Sequence, residues 1–229
     1  PRPGRSKQRC NCIPVTPMPA PAIKICGITT ADALDAVIAA RADHVGFNFI
    51  ARSPRYLPMA MAAELGARAA GRINRVGLFL DADDTAIAEA LATGAIDVIQ
   101  LHGEESPARA GQVRSRFGVP VWKALPVATR DDLHRADAYL GATDLVLFDA
   151  KTPKGALPGG SGLSFDWTLL AGWKAPCPWG LAGGLTPANV GEAARLTGAP
   201  LVDTASGVES APGIKDAAKI ATFCAAARG

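Results

Sequence analysis

Trp179-Gly180-Leu181-Ala182-Gly183-Gly184-Leu185-Thr186-Pro187 decides the architecture. A short apolar run breaks at a double glycine. A threonine followed by proline then reads as a helix N-cap and first helical position. The helical pattern runs over 187–197, Gly198 ends it, and a second apolar run over 200–204 follows at once. Strand, helix and strand in this order form the repeating unit of parallel α/β folds.

The same unit recurs through the chain. Strands are expected near 22–26, 44–49, 75–80, 97–101, 120–124, 144–148, 178–182 and 200–204. Helices are expected near 31–40, 59–70, 84–93, 105–117, 130–139, 187–197 and 214–227, with a shorter one starting near Asp166. The strands are apolar along their length, as strands buried on both faces are. Thr30 and Asp32 suit one helix start, and Pro58 precedes another. Gly94, Gly118, Gly141 and Gly198 sit where helices end. Eight such units in about 208 residues predict a single-domain (β/α)₈ TIM barrel over 22–229, at the small end of its size range. The alternative is an open doubly wound sheet. Its usual glycine fingerprint after the first strand is not what Cys26-Gly27-Ile28-Thr29-Thr30 provides.

Hydrophobic residues make up 48% of the chain and charged residues 20%, ordinary values for a globular protein. No apolar stretch reaches the roughly 18 residues of a membrane helix. The net charge of +3 is concentrated in residues 1–21, where Arg2, Arg5, Lys7 and Arg9 stand without an acid. The remainder is close to neutral, which argues against a nucleic-acid surface. Residues 1–21 read as a flexible, basic, proline-rich extension with no apolar signal-peptide core. Cys10, Cys12, Cys26, Cys177 and Cys224 are odd in number and scattered, which fits a reducing cytoplasm better than a disulfide framework. No His-Glu-x-x-His pattern or zinc spacing is present, so no metal is expected.

In a parallel sheet or barrel, residues at strand ends converge on one rim. Cys26 closes the first strand and reads either as a small buried hydrophobe or as a base or nucleophile. Lys24 is expected on the opposite face of that strand, which makes it a poor candidate for the positive group that would activate the thiol. Asp149 follows Leu145-Val146-Leu147-Phe148 and is either a cap, a partner for Lys151, or a general acid. Arg55, in the rigid turn Ser53-Pro54-Arg55-Tyr56, is either solvated or a bidentate carboxylate clamp. His102, with Gln100, either hydrogen-bonds a ligand, orients a loop, or is a satisfied structural histidine. Three late glycine turns invite a phosphate: one around Gly160, one at Gly183 and Gly184, one at Ser206 and Gly207.

Taken in order, these motifs resemble the phosphoribosylanthranilate isomerase family. They include Lys24-Ile25-Cys26-Gly27, Ser53-Pro54-Arg55, Gln100-Leu101-His102-Gly103-Glu104, Phe148-Asp149-Ala150-Lys151, Gly159-Gly160-Ser161-Gly162, Leu181-Ala182-Gly183-Gly184 and Ser206-Gly207-Val208-Glu209. The resemblance covers about residues 22–223 and departs from the family at Ser161, where threonine is common. It implies a (β/α)₈ enzyme of tryptophan biosynthesis that performs an Amadori rearrangement. Cys26 would be general base, Asp149 general acid and Arg55 the clamp for the anthranilate carboxylate. The turns around Gly160, Gly183, Gly184, Ser206 and Gly207 would hold the phosphate. No cofactor is implied, because the iminium nitrogen of the substrate is itself the electron sink. The expected partner is a small phosphosugar, with neither nucleic acid nor membrane, in a cytoplasmic monomer or homodimer. The related histidine-pathway isomerase carries an aspartate at the position of Cys26, so the thiol separates the two. A non-catalytic phosphosugar-binding barrel is the rival from another class, and it would need neither Cys26 nor Asp149.

Overall fold

Eight parallel strands close on themselves in chain order, β1 pairing with both β2 and β8. The computed structural model describes residues 19–151 and 162–229. The strands are β1 (Ala22–Cys26), β2 (His44–Asn48), β3 (Asn74–Phe79), β4 (Val98–Leu101), β5 (Val121–Val127), β6 (Leu145–Ala150), β7 (Trp179–Leu181) and β8 (Leu201–Thr204). Around them run α1 (Ala31–Ala39), α2 (Met59–Ala69), α3 (Asp84–Ala92), α4 (Pro107–Phe117), α5 (Val190–Thr197) and α6 (Ala217–Arg228). The expected barrel is therefore the observed fold. Most of the predicted extension over 1–21 lies outside the described residues.

Strand parity sorts the side chains into two cores. Successive residues of a strand point to opposite faces. One set, including Ile23, Ile25, Val45, Phe47, Ile99, Val146, Phe148 and Val202, packs outward against the helices. The other set fills the barrel and includes Cys26, Val76, Leu78, Trp122, Leu147 and Leu201. Lys24 shares the parity of Cys26, two residues away, and so points into the barrel with it; its assignment to the opposite face is corrected. Asp149 and Asp203 share the parity of Leu147 and Leu201. The polar residues of the interior thus lie on the faces that converge along the barrel axis.

Helix starts follow local hydrogen bonding. Thr30, Asp83, Ser106 and Asp216 each accept a backbone N–H three residues on, capping α1, α3, α4 and α6. Three expectations shift. The stretch 130–139 forms successive 3₁₀ turns rather than an α-helix. Its buried residues Leu133, Ala136 and Tyr139 recur every third position, the period of a 3₁₀-helix. The helix expected from Pro187 starts at Val190 instead, because Asn189 ties up the preceding turn. Its Oδ1 accepts from the Thr186 N–H at 2.7 Å and its Nδ2 donates to the Gly184 carbonyl at 3.0 Å. Ile214 and Lys215, expected to open the last helix, instead form β10 (Ile214–Lys215), which pairs antiparallel with β9 (Glu209–Ala211), and the helix begins at Ala217.

Candidate active site

A cavity of about 290 Å³ opens at the C-terminal ends of the strands, with Cys26, Arg55, His102, Asp149, Gly183 and Ser206 among its lining residues. Both predicted catalytic residues therefore face one space. The described part of the late glycine turns, Gly162, Gly183 and Gly184, lines it as well. Gly160 lies outside the described residues. Gly207 does not line the cavity; its Cα packs so tightly under the Leu185 carbonyl that a side chain would sit 1.9 Å from that oxygen.

Asp149 ends the inward-facing row of β6 and is nearly buried. Its Oδ1 accepts the Ala150 N–H at 2.8 Å, and its Oδ2 lies 3.2 Å from His102 Nε2. Gln100 Nε2 lies 3.1 Å from His102 Nδ1. The row admits two proton arrangements. In one, the glutamine amide donates to Nδ1 and the imidazole N–H at Nε2 donates to the carboxylate. In the other, the amide is turned over, Nδ1–H donates to its oxygen, and a protonated Asp149 donates to Nε2. The second is the form a general acid requires. His102 thus lines the cavity and at the same time contacts Asp149. Gly183, at φ +85°, has to be glycine: a Cβ there would lie 2.6 Å from the Ala150 nitrogen and 2.9 Å from Asp149 Oδ1.

Cys26, at the end of β1, sits in a different setting. Burial pushes its thiol above the usual range, opposed by the positive charges of Lys24, Lys215 and Arg55 and reinforced by the negative charge of Asp203. Lys24 is fully buried and its Nζ donates to Asp203 Oδ2 at 2.8 Å, across the β1–β8 register that pairs these two residues. Burial disfavours the ammonium, yet attraction to Asp203 and to Cys26 outweighs it and holds Lys24 above its ordinary value.

Arg55 reaches over Gly27, whose φ of +78° and missing side chain make room; a Cβ there would lie 2.5 Å from Arg55 Cδ. Its Nε and Nη2 each donate to a different oxygen of Glu209 at 2.7 Å, a bidentate pair. Lys215 Nζ donates to Glu209 Oε1 at 2.6 Å and to the Ala205 carbonyl at 2.9 Å. Burial pushes Glu209 up, but these two cations outweigh it and hold the carboxyl below its usual range. Arg55 therefore lines the cavity with a protein carboxylate already in its fork.

Lys24, Asp203, Glu209 and Lys215 were not picked out as site residues from sequence. Signals existed for two of them: Lys24 stands two residues before Cys26 on a strand, and Asp203 interrupts the apolar run of β8. Among the described residues no group of three or more His, Cys, Asp or Glu side chains could hold a metal ion.

A TIM barrel presenting a thiol and a carboxyl group to one cavity, beside glycine turns, is the architecture of an acid–base enzyme. The model of the N-(5′-phosphoribosyl)anthranilate isomerase family matches residues 23–226. The protein of that name from Paramagnetospirillum magneticum is 53% identical over 208 residues, covering 90% of this chain and 97% of its own. The crystal structure of phosphoribosyl anthranilate isomerase from Thermotoga maritima superposes with a TM-score of 0.82 at 32% identity, covering 91% of this chain and 99% of its own. A second isomerase structure, in complex with reduced 1-(o-carboxyphenylamino)-1-deoxyribulose 5-phosphate, gives a TM-score of 0.80 at 30% identity and covers the same 91% and 99%. The chain belongs to the N-(5′-phosphoribosyl)anthranilate isomerase family.

Proposed function

We propose that the chain converts N-(5′-phosphoribosyl)anthranilate to 1-(2-carboxyphenylamino)-1-deoxyribulose 5-phosphate, the isomerisation of tryptophan biosynthesis, with Cys26 and Asp149 as its base and acid. The observation that carries the assignment of roles is that Cys26 and Asp149 line one cavity from different strands. Asp149 protonates the ribose ring oxygen while the anilino nitrogen pushes the ring open to an iminium. Cys26, as thiolate, removes the C2′ proton, and the electron pair flows into the iminium to give an enolamine. Tautomerisation to the ketone completes the reaction. Each step is a proton transfer between positioned groups, typically worth ~10²–10⁴-fold apiece.

The substrate has two anionic ends. The phosphate fits against the glycine turns at Gly183 and Gly184 and the first residue of the Ser206–Val208 turn, where backbone N–H groups can gather. The anthranilate carboxylate falls to Arg55, whose guanidinium lines the opposite side. Burial favours the thiol form of Cys26, so the basic form has to be drawn out by the cations around it.

The test is direct. Purified protein should abolish the fluorescence of N-(5′-phosphoribosyl)anthranilate and restore growth of a tryptophan auxotroph lacking this step. Substrate binding with no loss of fluorescence would instead favour a non-catalytic phosphosugar-binding barrel. The described residues contain no helix long and apolar enough to cross a membrane.

A further inference from the structure

Beneath the base lies a charge pair that the reaction as described does not use. Lys24 and Asp203 face each other across the β1–β8 seam, inside a barrel otherwise packed with Val76, Leu78, Leu147 and Leu201. Burying two charges in apolar surroundings is expensive, and an apolar pair of similar volume would often serve the fold as well or better. The pair is also not saturated. Asp203 Oδ2 receives Lys24, but Oδ1 is buried with no hydrogen-bond partner. Asp203 and Cys26 both line the cavity, and Lys24 shares the inward face of β1 with Cys26. A purely structural salt bridge accounts for neither the orphan oxygen nor the position directly under the thiol.

Building on the reading of Cys26 as base, we propose that Lys24 is a positioning residue that makes the thiolate of Cys26 accessible, and that Asp203 sets how much of its charge the sulfur feels. As the thiol releases its proton to water in the open cavity, the ammonium shares itself between carboxylate and sulfur. The site then carries two anions around one fixed cation rather than an isolated buried thiolate. Lys215 and Arg55 also face Cys26, from β10 and from the turn after β2, but both are drawn onto Glu209. His44, from β2, faces Lys24 and feels its charge. Of the cations around the thiol, Lys24 acts on it most strongly.

The experiment measures the pH dependence of iodoacetamide alkylation at Cys26, followed by mass spectrometry of its peptide so that the other cysteines do not count. The same variants are assayed for kcat/KM across pH. Lys24→Met should move the alkylation midpoint upward and lower both the alkylation rate and kcat/KM at pH 7 by about tenfold or more, since each pH unit costs tenfold in thiolate. KM should change little, and Lys24→Arg should restore part of the loss. Asp203→Asn should move the midpoint downward. Lys24→Met with Asp203→Leu, which leaves no unpaired buried charge and preserves folding, should retain the upward shift. A wild-type midpoint in Lys24→Met or in that double variant overturns the proposal, as does an upward shift in Asp203→Asn. Full turnover by Cys26→Ser would instead remove Cys26 as base, and the alkylation midpoints would still report on Lys24.

Discussion

Cys26 and Asp149 look into the same cavity from surroundings built on different physics. Around Asp149 the partners are an imidazole–amide row and its own backbone, and the control is by hydrogen-bond direction. Around Cys26 the partners are whole charges: Lys24 on Asp203, and Arg55 and Lys215 on Glu209. Hydrogen-bond control is short-ranged and geometric, whereas charge control acts over several ångströms and adds up in a poorly hydrated interior. The acid half of the site should therefore be sensitive to shape and the base half to charge and pH.

The largest effects come from removing the two groups themselves. Cys26→Ser and Asp149→Asn should each lower kcat by ~10²–10⁴ with the fold intact. They should differ in their pH dependence. Asp149→Asn keeps the charge cluster, so the rise of its residual activity with pH, which follows thiolate formation, should survive. Cys26→Ser should lose that rise. Identical pH profiles for the two variants would erase the contrast drawn here.

The base half should also show itself in stability. Burial depresses His44 from 6.5 to about 4, with the charge of Lys24 adding to the effect and Asp43 opposing it. The unfolded chain therefore takes up a proton between these values that the folded chain refuses. Stability is whole above about pH 6.5 and falls as pH drops toward 4, by up to about 3 kcal/mol from this group. Denaturant titrations of the wild type and of His44→Gln between pH 4 and 7 measure it; equal acid sensitivity in both would show that His44 contributes nothing.

How much of this was legible in the sequence depends on the same division. The barrel was, because each strand is a short apolar run and each break carries a glycine or a cap. The two proposed catalytic residues were legible as polar residues ending such runs, Asp149 after Phe148 and Cys26 before Gly27. Lys24 could have been placed by parity alone, since residues two apart on a strand share a face. The partner of Lys24 was harder, because Asp203 lies on β8, which meets β1 only where the barrel closes, and the two residues are 179 positions apart. Glu209 and Lys215 were out of reach for a further reason. The chain there forms the β9–β10 pair, with β10 standing where the last helix is expected to begin, and that fold-back joins Glu209 to both Arg55 and Lys215.

Arg55 tests whether charge in the base half serves binding or only architecture. Arg55→Ala should raise KM by about ten- to a hundredfold, the loss of a charged, bidentate contact, with a smaller change in kcat. It also leaves Glu209 with Lys215 alone, so some stability should go with it. Glu209→Gln frees the guanidinium of its protein carboxylate without removing it. If Arg55 only braces the β9–β10 pair, the two variants should behave alike, losing stability with KM unchanged. If it grips the substrate, Arg55→Ala should raise KM well beyond Glu209→Gln at matched stability.

The smallest expected effect belongs to the acid half. His102→Asn retains a hydrogen-bonding side chain but is too short to span Gln100 and Asp149 at their present separation. Turnover should fall about tenfold, within the modest range expected for losing an orienting partner rather than the acid itself. Gln100→Leu should follow it in the same direction, because the imidazole loses the contact that selects its tautomer. A Gln100→Leu variant with unchanged kcat would mean that Asp149 acts without the row, and that shape control in this half resides in the Ala150 N–H and the close packing of Gly183.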